Sequence, residues 1–454
     1  MKYIRFFTNG LLVASVCFAL GSCSDEDFLD LEQNKTQNEQ TTHTIPMEFV
    51  GDVVGFDQQS NGVKVQTRTT TSSWTNGDKI YITFYNGSNI VPGEATYNSS
   101  SGWSVSYDGN LATGSNLKCE ARYFVNATFS SSSLVSLNSN TEIYEDLNGT
   151  YAYNNGSLTV QASLTPKTGR IRFTGTSGAK IYTTGISVYT TFAPAINQFS
   201  TSNAMITSTV ASNGSTPYIY GTFTDSDRNI GLVGSDFAYT RTCTSDMLKV
   251  GESGYMAIPS ESSHNNWRTG LYVKASGVEF KMIPVSGYSG GFYLIGETEV
   301  TEALYYSING TSSSSQKPIS SISYYSALSC IEKINNQTKL NFSIPTSDQW
   351  DYAAKGGNQS QNYTYSGSNT PDDVAWYSEN TDTKRNVKTK APNELGIYDM
   401  TGNVFEMTLT RDAYYYCVGG SYNSDSKILE ADCKICGTEA SYSDVGFRFI
   451  LTCQ

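Results

Sequence analysis

Histidine and charged residues are scarce in this chain of 454 residues, and the charge that is present is mostly acidic. His43 and His264 are the two histidines, charged residues make up 16% of the sequence, and the net charge is −12. An acidic surface repels the phosphates of nucleic acids, so we expect no nucleic-acid partner. Both histidines lie before residue 278, which argues against a zinc site in the last third of the chain, because zinc needs four ligands.

Long apolar runs are missing after the first 22 residues, so no later stretch predicts a membrane-spanning segment. The N-terminus has positive charges at Lys2 and Arg5, an apolar run over residues 11–20 and small residues before Cys23, which is the order of a secretory signal. The end of this segment resembles a lipobox, and the resemblance implies that residues 1–22 are removed and Cys23 is lipidated. An ordinary signal peptide with a chance cysteine is the alternative.

The residues after Cys23 predict a tether and a location. Residues 24–27 (Ser-Asp-Glu-Asp) resemble a surface-export tag of lipoproteins in Gram-negative gut bacteria, and a plain acidic tether is the alternative. Residues 23–44 hold little that could be buried, so we expect a flexible tether there. These features predict a lipid anchor in the outer membrane and exposure at the cell surface. Of nine cysteines, Cys17 lies in the signal and Cys23 takes the lipid, which leaves an odd number and argues against a disulfide framework.

Short alternating runs dominate residues 45–277. Ile80, Ile82 and Phe84, for example, alternate with the residues between them, and Asn-Gly, Asp-Gly and Ser-rich turns separate such runs. A period of two predicts β-strands, and antiparallel sheets with one face in water give this pattern. We therefore expect β-sandwiches in this region, arranged as two modules.

Several segments of this region are similar to fimbrillin-like lipoproteins. They are Thr67-Arg68-Thr69, Trp74–Ile80, Ala121–Phe124 and Thr168–Phe173. The resemblance implies sandwich modules used for display or for pilus assembly. It also implies that an arginine near the N-terminus is cut so that strands can exchange, with Arg68 as the candidate. An ordinary charge beside a strand is the alternative for Arg68.

From residue 278 to residue 454 helical patterns appear among strand-like and Gly-rich segments. Thr301 is an N-cap candidate for a first helix, and Thr346 with Gln349 forms the Thr-x-x-Gln pattern of a capping box for a third. Between them, a second helix is predicted by apolar residues at three-residue spacing: Ile322, Tyr325, Leu328 and Ile331. This region is predicted to be an α+β domain.

The order of segments across residues 278–454 resembles the formylglycine-generating, sulfatase-modifying family. The matching segments are Phe280–Val285, Glu299–Thr301, Pro318–Ser320, Ile344–Gly357, Pro392–Glu406, Gly419–Ser421 and Gly446–Arg448. The resemblance implies a C-type-lectin-like fold. The predicted fold class is therefore multidomain, with all-β fimbrillin-like sandwiches followed by an α+β C-type-lectin-like domain of the formylglycine-generating type.

Enzymes of that family hold copper between two thiols, one placed three residues after the serine of Gly-Gly-Ser and the other five residues further on. Counting from Ser421 gives Ser424 and Leu429, which cannot replace thiolates as copper ligands. We therefore expect no copper, no catalytic residues and no oxidase. Cys433 and Cys436 have a different spacing, and a disulfide or two incidental cysteines is favoured there over a zinc site or a redox pair.

The same resemblance implies a structural calcium ion. Side-chain oxygens of Asp399 and Glu406 and carbonyl oxygens of Gly402 and Val404 match the ligand positions of the family, and hard oxygen ligands suit calcium. A loop that keeps its shape through hydrogen bonds alone is the alternative.

Tyrosine and small polar residues are concentrated between residues 413 and 444. The candidate ligand-binding residues are Tyr414, Tyr415, Tyr416, Tyr422, Asn423, Ser424, Asp425, Tyr442 and Ser443. Tyrosine supplies contact area with a polar tip, and Ser, Asn and Asp supply adaptable hydrogen bonds, as in antibody paratopes. The segment is similar to the variable proteins of diversity-generating retroelements. The alternative is that it reflects the richness of the whole chain in these residue types.

These features predict a surface-exposed lipoprotein that displays a non-catalytic, lectin-like domain to an unknown protein or glycan ligand. A pilus-associated accessory or tip subunit, with pilus components as partners, is the second hypothesis. A formylglycine-generating-type oxidase is the third, and the missing pair of thiols argues against it.

Overall fold

The computed structural model describes residues 42–53, 57–60, 63–66, 74–125, 127–131, 134–224, 226–243, 247–259, 266–289, 291–409, 414–426 and 433–453. From His43 onward these residues belong to one unit. The predicted signal peptide, Cys23, most of the predicted tether and Arg68 lie outside the described residues. No described helix combines the length and the apolar character needed to cross a membrane.

Between residues 42 and 269 the described elements are strands and one 3₁₀ turn at Pro194–Ile196. The strands are β1 (Thr42–Val53), β2 (Asp57–Ser60), β3 (Val63–Gln66), β4 (Lys79–Asn86), β5 (Asn89–Asn98), β6 (Gly102–Asp108), β7 (Gly114–Val125), β8 (Thr128–Ser131), β9 (Leu134–Ser136), β10 (Glu142–Asn154), β11 (Ser157–Pro166), β12 (Gly169–Thr174), β13 (Lys180–Thr184), β14 (Ile186–Ala193), β15 (Gln198–Ser202), β16 (Ile206–Thr209), β17 (Ile219–Phe223), β18 (Asn229–Val233), β19 (Ala238–Thr242), β20 (Glu252–Ala257) and β21 (Arg268–Thr269). Strand β1 begins inside the segment predicted as a tether.

The first module is a sheet that closes on itself in the order β1-β11-β10-β7-β4-β5-β6. Strands β4 and β5 are antiparallel, whereas β1 and β11 run parallel with Met47 opposite Leu158. Aromatic side chains such as Phe84, Trp103 and Tyr151 fill the interior. A closed sheet replaces the predicted sandwich in this module. The alternating pattern does not separate the two, because both architectures bury one face of each strand.

The second module is a sandwich of two sheets. One sheet has the order β3-β2-β20-β12-β17-β14-β9-β8 with β15 beside β14, and the other has the order β16-β13-β18-β19-β21. Phe173 from the first sheet and Leu232 from the second belong to one buried cluster, as expected for two packed sheets.

Strand β4 is buried on both faces, which differs from the predicted strand with one face in water. Ile80 and Phe84 belong to the cluster inside the first module. Tyr81 packs in a separate cluster with Phe124 and Phe192, at ring-centroid distances of 5.7 and 6.1 Å. Phe192 belongs to β14, so the second module covers the face that was expected to be exposed.

The C-terminal domain combines short helices with two sheets. Its elements are β22 (Leu271–Ala275), β23 (Val278–Tyr288), β24 (Gly291–Gly296), α1 (Glu302–Ile308), α2 (Tyr324–Thr338), β25 (Phe342–Ser343), α3 (Ser347–Ala354), a 3₁₀ turn (Gly357–Gln359), α4 (Pro371–Val374), β26 (Phe405–Met407), β27 (Tyr414–Val418), β28 (Cys433–Gly437), β29 (Val445–Gly446) and β30 (Ile450–Leu451). The sheets have the orders β22-β23-β24-β30-β25 and β28-β27-β26-β29. An all-β region followed by an α+β domain confirms the predicted fold class. The pairing of β22 with β23 crosses the boundary expected at residue 278.

Apolar packing joins the second module to the C-terminal domain. Tyr182 and Val233 of the sandwich belong to the same buried cluster as Leu294 of β24. The rings of Tyr182 and Phe292 lie 5.7 Å apart, centroid to centroid. This shared core fixes the orientation of the domain on the sandwich.

All three predicted helices are present, and the predicted caps fix where two of them begin. Thr301 Oγ1 accepts a hydrogen bond from Leu304 N at 3.2 Å, and Thr346 forms the predicted capping box with Gln349. Of the four residues that predicted α2, Ile331 is buried and Ile322 and Leu328 pack against the core, but Tyr325 is 53% exposed. Four buried residues of α2 are spaced by three, four and three positions, namely Tyr324, Ala327, Ile331 and Ile334, and Cys330 is buried beside them.

Candidate functional site

The Gly-Gly-Ser turn after β27 rests on helix α3. The capping box starts this helix so that Trp350 points inward, 6% exposed. A Cβ atom at Gly419 would lie 2.8 Å from the Trp350 ring, and Gly419 has a φ of +90°. Both the close approach and the backbone conformation therefore require glycine at position 419.

Backbone hydrogen bonds tie the turn to the loop that carries Gly402 and Asn403. Gly402 N donates to Gly419 O at 2.8 Å, and Tyr422 N donates to Asn403 O at 2.9 Å. Gly402 has a φ of +77°, and a Cβ there would lie 2.3 Å from the carbonyl oxygen of Trp376. Hydrogen bonds to this second loop thus hold the turn on both sides of Ser421. The second loop also requires glycine, at position 402.

Ser424 closes this turn. Its Oγ accepts a hydrogen bond from Ser421 N at 3.0 Å, and its own N–H donates to Ser421 O at 3.0 Å. Ser424 is 6% exposed, so its prediction as a ligand-binding residue is wrong: the hydroxyl is used inside the turn. Position 424, where the family's enzymes place their first thiol, therefore holds a turn-closing hydroxyl. Leu429, at the second thiol position, lies outside the described residues.

Cys436 lies next to a cysteine other than Cys433. Cys417 Sγ donates to Cys436 Sγ at 2.8 Å, and both residues are fully buried. Cys433 also belongs to β28, and its side chain lies outside the described part of the chain.

Glu406, one of the two acidic residues predicted to bind calcium, belongs to a buried ion pair. Glu406 is 1% exposed, and Arg448 donates from Nη2 to Glu406 Oε1 at 2.6 Å and from Nε to Oε2 at 2.9 Å. Trp350 Nε1 donates to Glu406 Oε2 at 2.7 Å. Both carboxylate oxygens thus accept hydrogen bonds, and the charge is neutralised by a guanidinium. Glu406 does not fit the role of a calcium ligand.

The other predicted calcium acid belongs to a second buried arrangement. Asp399 Oδ2 accepts from Lys388 N at 2.7 Å, and burial raises the pKa of Asp399 to about 6. Burial and the negative charge of Asp399 raise the pKa of Glu299 well above its ordinary value. Two buried carboxyl groups beside each other favour retention of a proton between them. Among the described residues, no group of three or more acidic, histidine or cysteine side chains could hold a metal ion.

The predicted ligand-binding residues divide into an exposed and a buried set. Tyr415 is fully buried and stacks on Tyr324 with ring centroids 4.9 Å apart, so its prediction as a ligand residue is wrong. Tyr416 is 44% exposed, because successive side chains of β27 point to opposite faces. The accessible residues of the described set are Tyr416, Tyr422, Asn423, Asp425, Tyr442 and Ser443. The side chain of Tyr414 lies outside the described part.

A cavity of about 330 Å³ opens beside the start of the turn. Val418 and Gly419 line it on one side, and carboxylates of α3 and of Glu394 line it on another. Tyr365, also part of its wall, donates from its hydroxyl to Ser426 O at 3.2 Å. The cavity therefore lies beside the Gly-Gly-Ser turn, and sequence patterns gave no sign of it.

The described C-terminal residues form an α+β domain in which Ser424 closes the Gly-Gly-Ser turn. Residues 262–453 match the family model of the Sulfatase-modifying factor enzyme 1-like domain. The C-terminal region is a domain of this family, as the sequence predicted.

Among curated proteins, the chain is similar to the chaperone protein LppX of Paenibacillus barcinonensis, with 46% identity over 89 residues. The match covers 16% of this chain and 32% of that protein, so the chain spans about a third of the length of its curated relative.

Two solved structures are also among the matches. Treponema denticola variable protein 1 is 22% identical, with 40% of this chain and 98% of that chain covered and a TM-score of 0.36. A fimbrial protein from Bacteroides ovatus ATCC 8483 is 12% identical, with 90% of this chain and 99% of that chain covered and a TM-score of 0.23.

Proposed function

We propose that this protein is a surface-displayed, lipid-anchored binding protein whose C-terminal domain presents a non-catalytic ligand site. The observation that carries the proposal is Ser424, whose hydroxyl closes a buried turn where the family's enzymes require a thiol. A serine hydroxyl cannot replace a thiolate in holding copper. The solvent-accessible residues of this part of the domain can therefore contact a ligand but supply no copper site.

We use the name tyrosine face for the accessible members of the predicted set: Tyr416, Tyr422, Asn423, Asp425, Tyr442 and Ser443. Aromatic rings with a polar tip and short polar side chains can bind proteins or glycans through stacking and hydrogen bonds. The backbone beneath is held by the bonds from Gly402 and to Asn403. A fixed backbone lowers the entropy lost on binding, which favours a recognition role.

The shared core supports a display role for the N-terminal modules. Because Tyr182 and Phe292 pack across the junction, the sandwich and the domain behave as one body rather than as domains on a loose linker. A rigid support would hold the C-terminal domain in one orientation relative to the sandwich.

The binding proposal can be tested with a double variant, Tyr416→Ala with Tyr422→Ala. The full chain would be screened on an array of defined glycans and extracellular proteins. We expect the double variant to lose the signal on whichever ligand the unsubstituted chain binds. Tyr306→Ala is the matched control, because Tyr306 is 40% exposed on α1, away from the turn. Equal loss in the control, or no loss in the double variant, would contradict the proposal.

The display proposal needs a separate experiment on whole cells. Protease added to intact cells should remove the C-terminal domain, and Cys23→Ala should release the chain from the membrane fraction. A domain that stays intact on whole cells but is cut after lysis would refute surface exposure. Stoichiometric co-purification with a polymeric pilin would favour the pilus-subunit hypothesis instead.

A further inference from the structure

Two buried sulfur atoms meet under the tyrosine face. Cys417 in β27 and Cys436 in β28 are both fully buried, and their Sγ atoms lie 2.8 Å apart. An S–S bond is about 2.05 Å long, so the two atoms need to approach by less than about 1 Å. The odd number of cysteines argues against a framework of disulfides that uses every cysteine of the chain. It does not exclude a single disulfide between Cys417 and Cys436.

Strand register places the two residues on the same face of the hairpin. Cys417 pairs with Lys434, and Cys436 pairs with Tyr415, so the cysteines are diagonal neighbours two positions apart. Diagonal neighbours are normally further apart than directly opposite residues. In this hairpin the two Sγ atoms of the diagonal pair nevertheless lie 2.8 Å apart.

We propose that Cys417 and Cys436 form an intrachain disulfide in the exported protein. The bond forms by two exchanges with a disulfide-type oxidant, such as oxidised glutathione or a dithiol oxidase of the compartment. One protein thiolate attacks the oxidant and releases a thiol, and the second protein thiolate then attacks the mixed disulfide and releases another. Two electrons pass to the oxidant, and the two thiol protons end on its reduced thiols.

Burial determines when the bond forms. Neither sulfur is accessible in the folded domain, so the exchange takes place while the chain folds after export. Once folded, the bond is shielded from reductants. We expect it to behave as a structural bond, resistant to mild reduction until the domain opens.

The bond would close a covalent loop under the tyrosine face. The loop runs from Cys417 to Cys436 and contains Tyr422, Asn423 and Asp425. Its two anchors lie in strands, so substitutions at exposed positions within the loop would leave the closure intact. The proposed disulfide does not depend on the proposed binding function. Its role as a support for ligand-binding residues does depend on that function.

The full chain allows a direct test, because trypsin sites separate the relevant cysteines. Cleavage after Arg411, Lys427, Lys434 and Arg448 places Cys417, Cys433 and Cys436 in three different peptides. The chain would be exported to a bacterial periplasm, alkylated under denaturing conditions without reductant and mapped by mass spectrometry. We expect peptide 412–427 linked to peptide 435–448, with a mass lower by two hydrogens than the sum of the two.

Two outcomes would overturn the proposal. One is alkylation of both Cys417 and Cys436 in chain that was exported and folded, and the other is a link from either of them to the peptide of Cys433. Cys433→Ser is the matched control and should keep the link. Reduction before thermal unfolding should lower the unfolding midpoint of both the unsubstituted chain and this control by roughly 5–10 °C. Peptide mapping uses the unsubstituted chain, so the test of the disulfide does not depend on whether a variant at Cys417 folds.

Discussion

Arg448 and Glu406 form an ion pair in which neither side chain is more than 1% exposed, with 2.6 Å between Nη2 and Oε1. The remaining donors of Arg448 are used as well, since Nη1 donates to Gly296 O and Nη2 to Tyr398 O, both at 2.9 Å. One guanidinium therefore joins β24, the loop before the Gly-Gly-Ser turn and β26. Such a group fixes the relative positions of these three segments.

Removing one partner of this ion pair should destabilise the domain strongly. Glu406→Gln would leave a buried guanidinium without its counter-charge, and breaking a buried pair in this way costs about 3–5 kcal/mol. Unfolding in urea, followed by tryptophan fluorescence, measures the loss. Lys355→Met is the control, because the Lys355–Asp351 pair is 69% and 57% exposed and should contribute less than about 0.5 kcal/mol. Similar losses in both variants would contradict the role of burial.

Calcium should have no effect on the stability of the domain. Both oxygens of Glu406 accept hydrogen bonds from Arg448 and Trp350, so a cation would have to displace a guanidinium. We expect the thermal unfolding midpoint to be the same in excess calcium chloride and in excess chelator. A midpoint that rises with calcium concentration would restore the calcium site implied by the family resemblance.

Acid should destabilise the N-terminal region through Glu120. Burial alone would raise the pKa of this carboxyl, but hydrogen bonds from Asn197, Arg122 and Tyr85 outweigh it and lower the pKa to about 2. Since the pKa in the folded state is below the ordinary value of 4.5, the stabilisation is present above pH 4.5 and is lost as the pH falls toward 2.

Glu120→Gln tests this pH dependence. It should be less stable than the unsubstituted chain by about 2–3 kcal/mol at pH 7, and the difference should shrink toward zero near pH 2. Urea titrations at several pH values give the measurement. Glu94→Gln serves as the control, because Glu94 is about one-third exposed in its pair with Lys79. If the free energies of unfolding of Glu120→Gln and the unsubstituted chain changed in parallel with pH, the pKa of the Glu120 carboxyl would not be lowered by folding.

Local features of the sequence predicted local features of the fold. Thr346 and Gln349 are three residues apart, so their capping box can be read from a short window and is present in the structure. Alternation likewise predicted the strands. The burial of Tyr81 and Tyr415 could not be read this way, because each is covered by a ring from elsewhere in the chain, Phe192 and Tyr324 respectively.

The chemistry of the site depends on contacts distant in sequence. Arg448 and Glu406 are 42 residues apart, and Cys417 and Cys436 are 19 apart, with no motif connecting either pair. The missing thiol at position 424 could be predicted by counting from Ser421, because the family motif fixes that spacing. What fills its place, a hydroxyl closing a buried turn, became clear only from the folded chain.

The domain should not oxidise cysteine. Incubation of the full chain with copper(I), oxygen and a cysteine peptide from a sulfatase should give no formylglycine, because position 424 has no thiol to bind the metal. Mass spectrometry of the peptide detects the product directly. Any copper-dependent product would refute the non-catalytic proposal, and its loss in Cys433→Ser or Cys436→Ser would assign the activity to that thiol.

Adjacent tyrosines of β27 should have opposite roles. Tyr415 is fully buried against Tyr324, so Tyr415→Ala should destabilise the domain by about 3–5 kcal/mol, as expected for truncation of a buried aromatic side chain. Tyr416 is 44% exposed, so Tyr416→Ala should change stability by less than about 0.5 kcal/mol. Thermal unfolding of both variants provides the comparison.

Binding should show the reverse order for those two positions. On a ligand found by the array, Tyr416→Ala should weaken binding about tenfold or more, as truncation of an interface tyrosine can. The conservative variant Tyr415→Phe keeps the buried ring and should bind as the unsubstituted chain does. If Tyr416→Ala binds normally while a variant on another face of the domain does not, the ligand site lies elsewhere and the tyrosine face is ordinary surface.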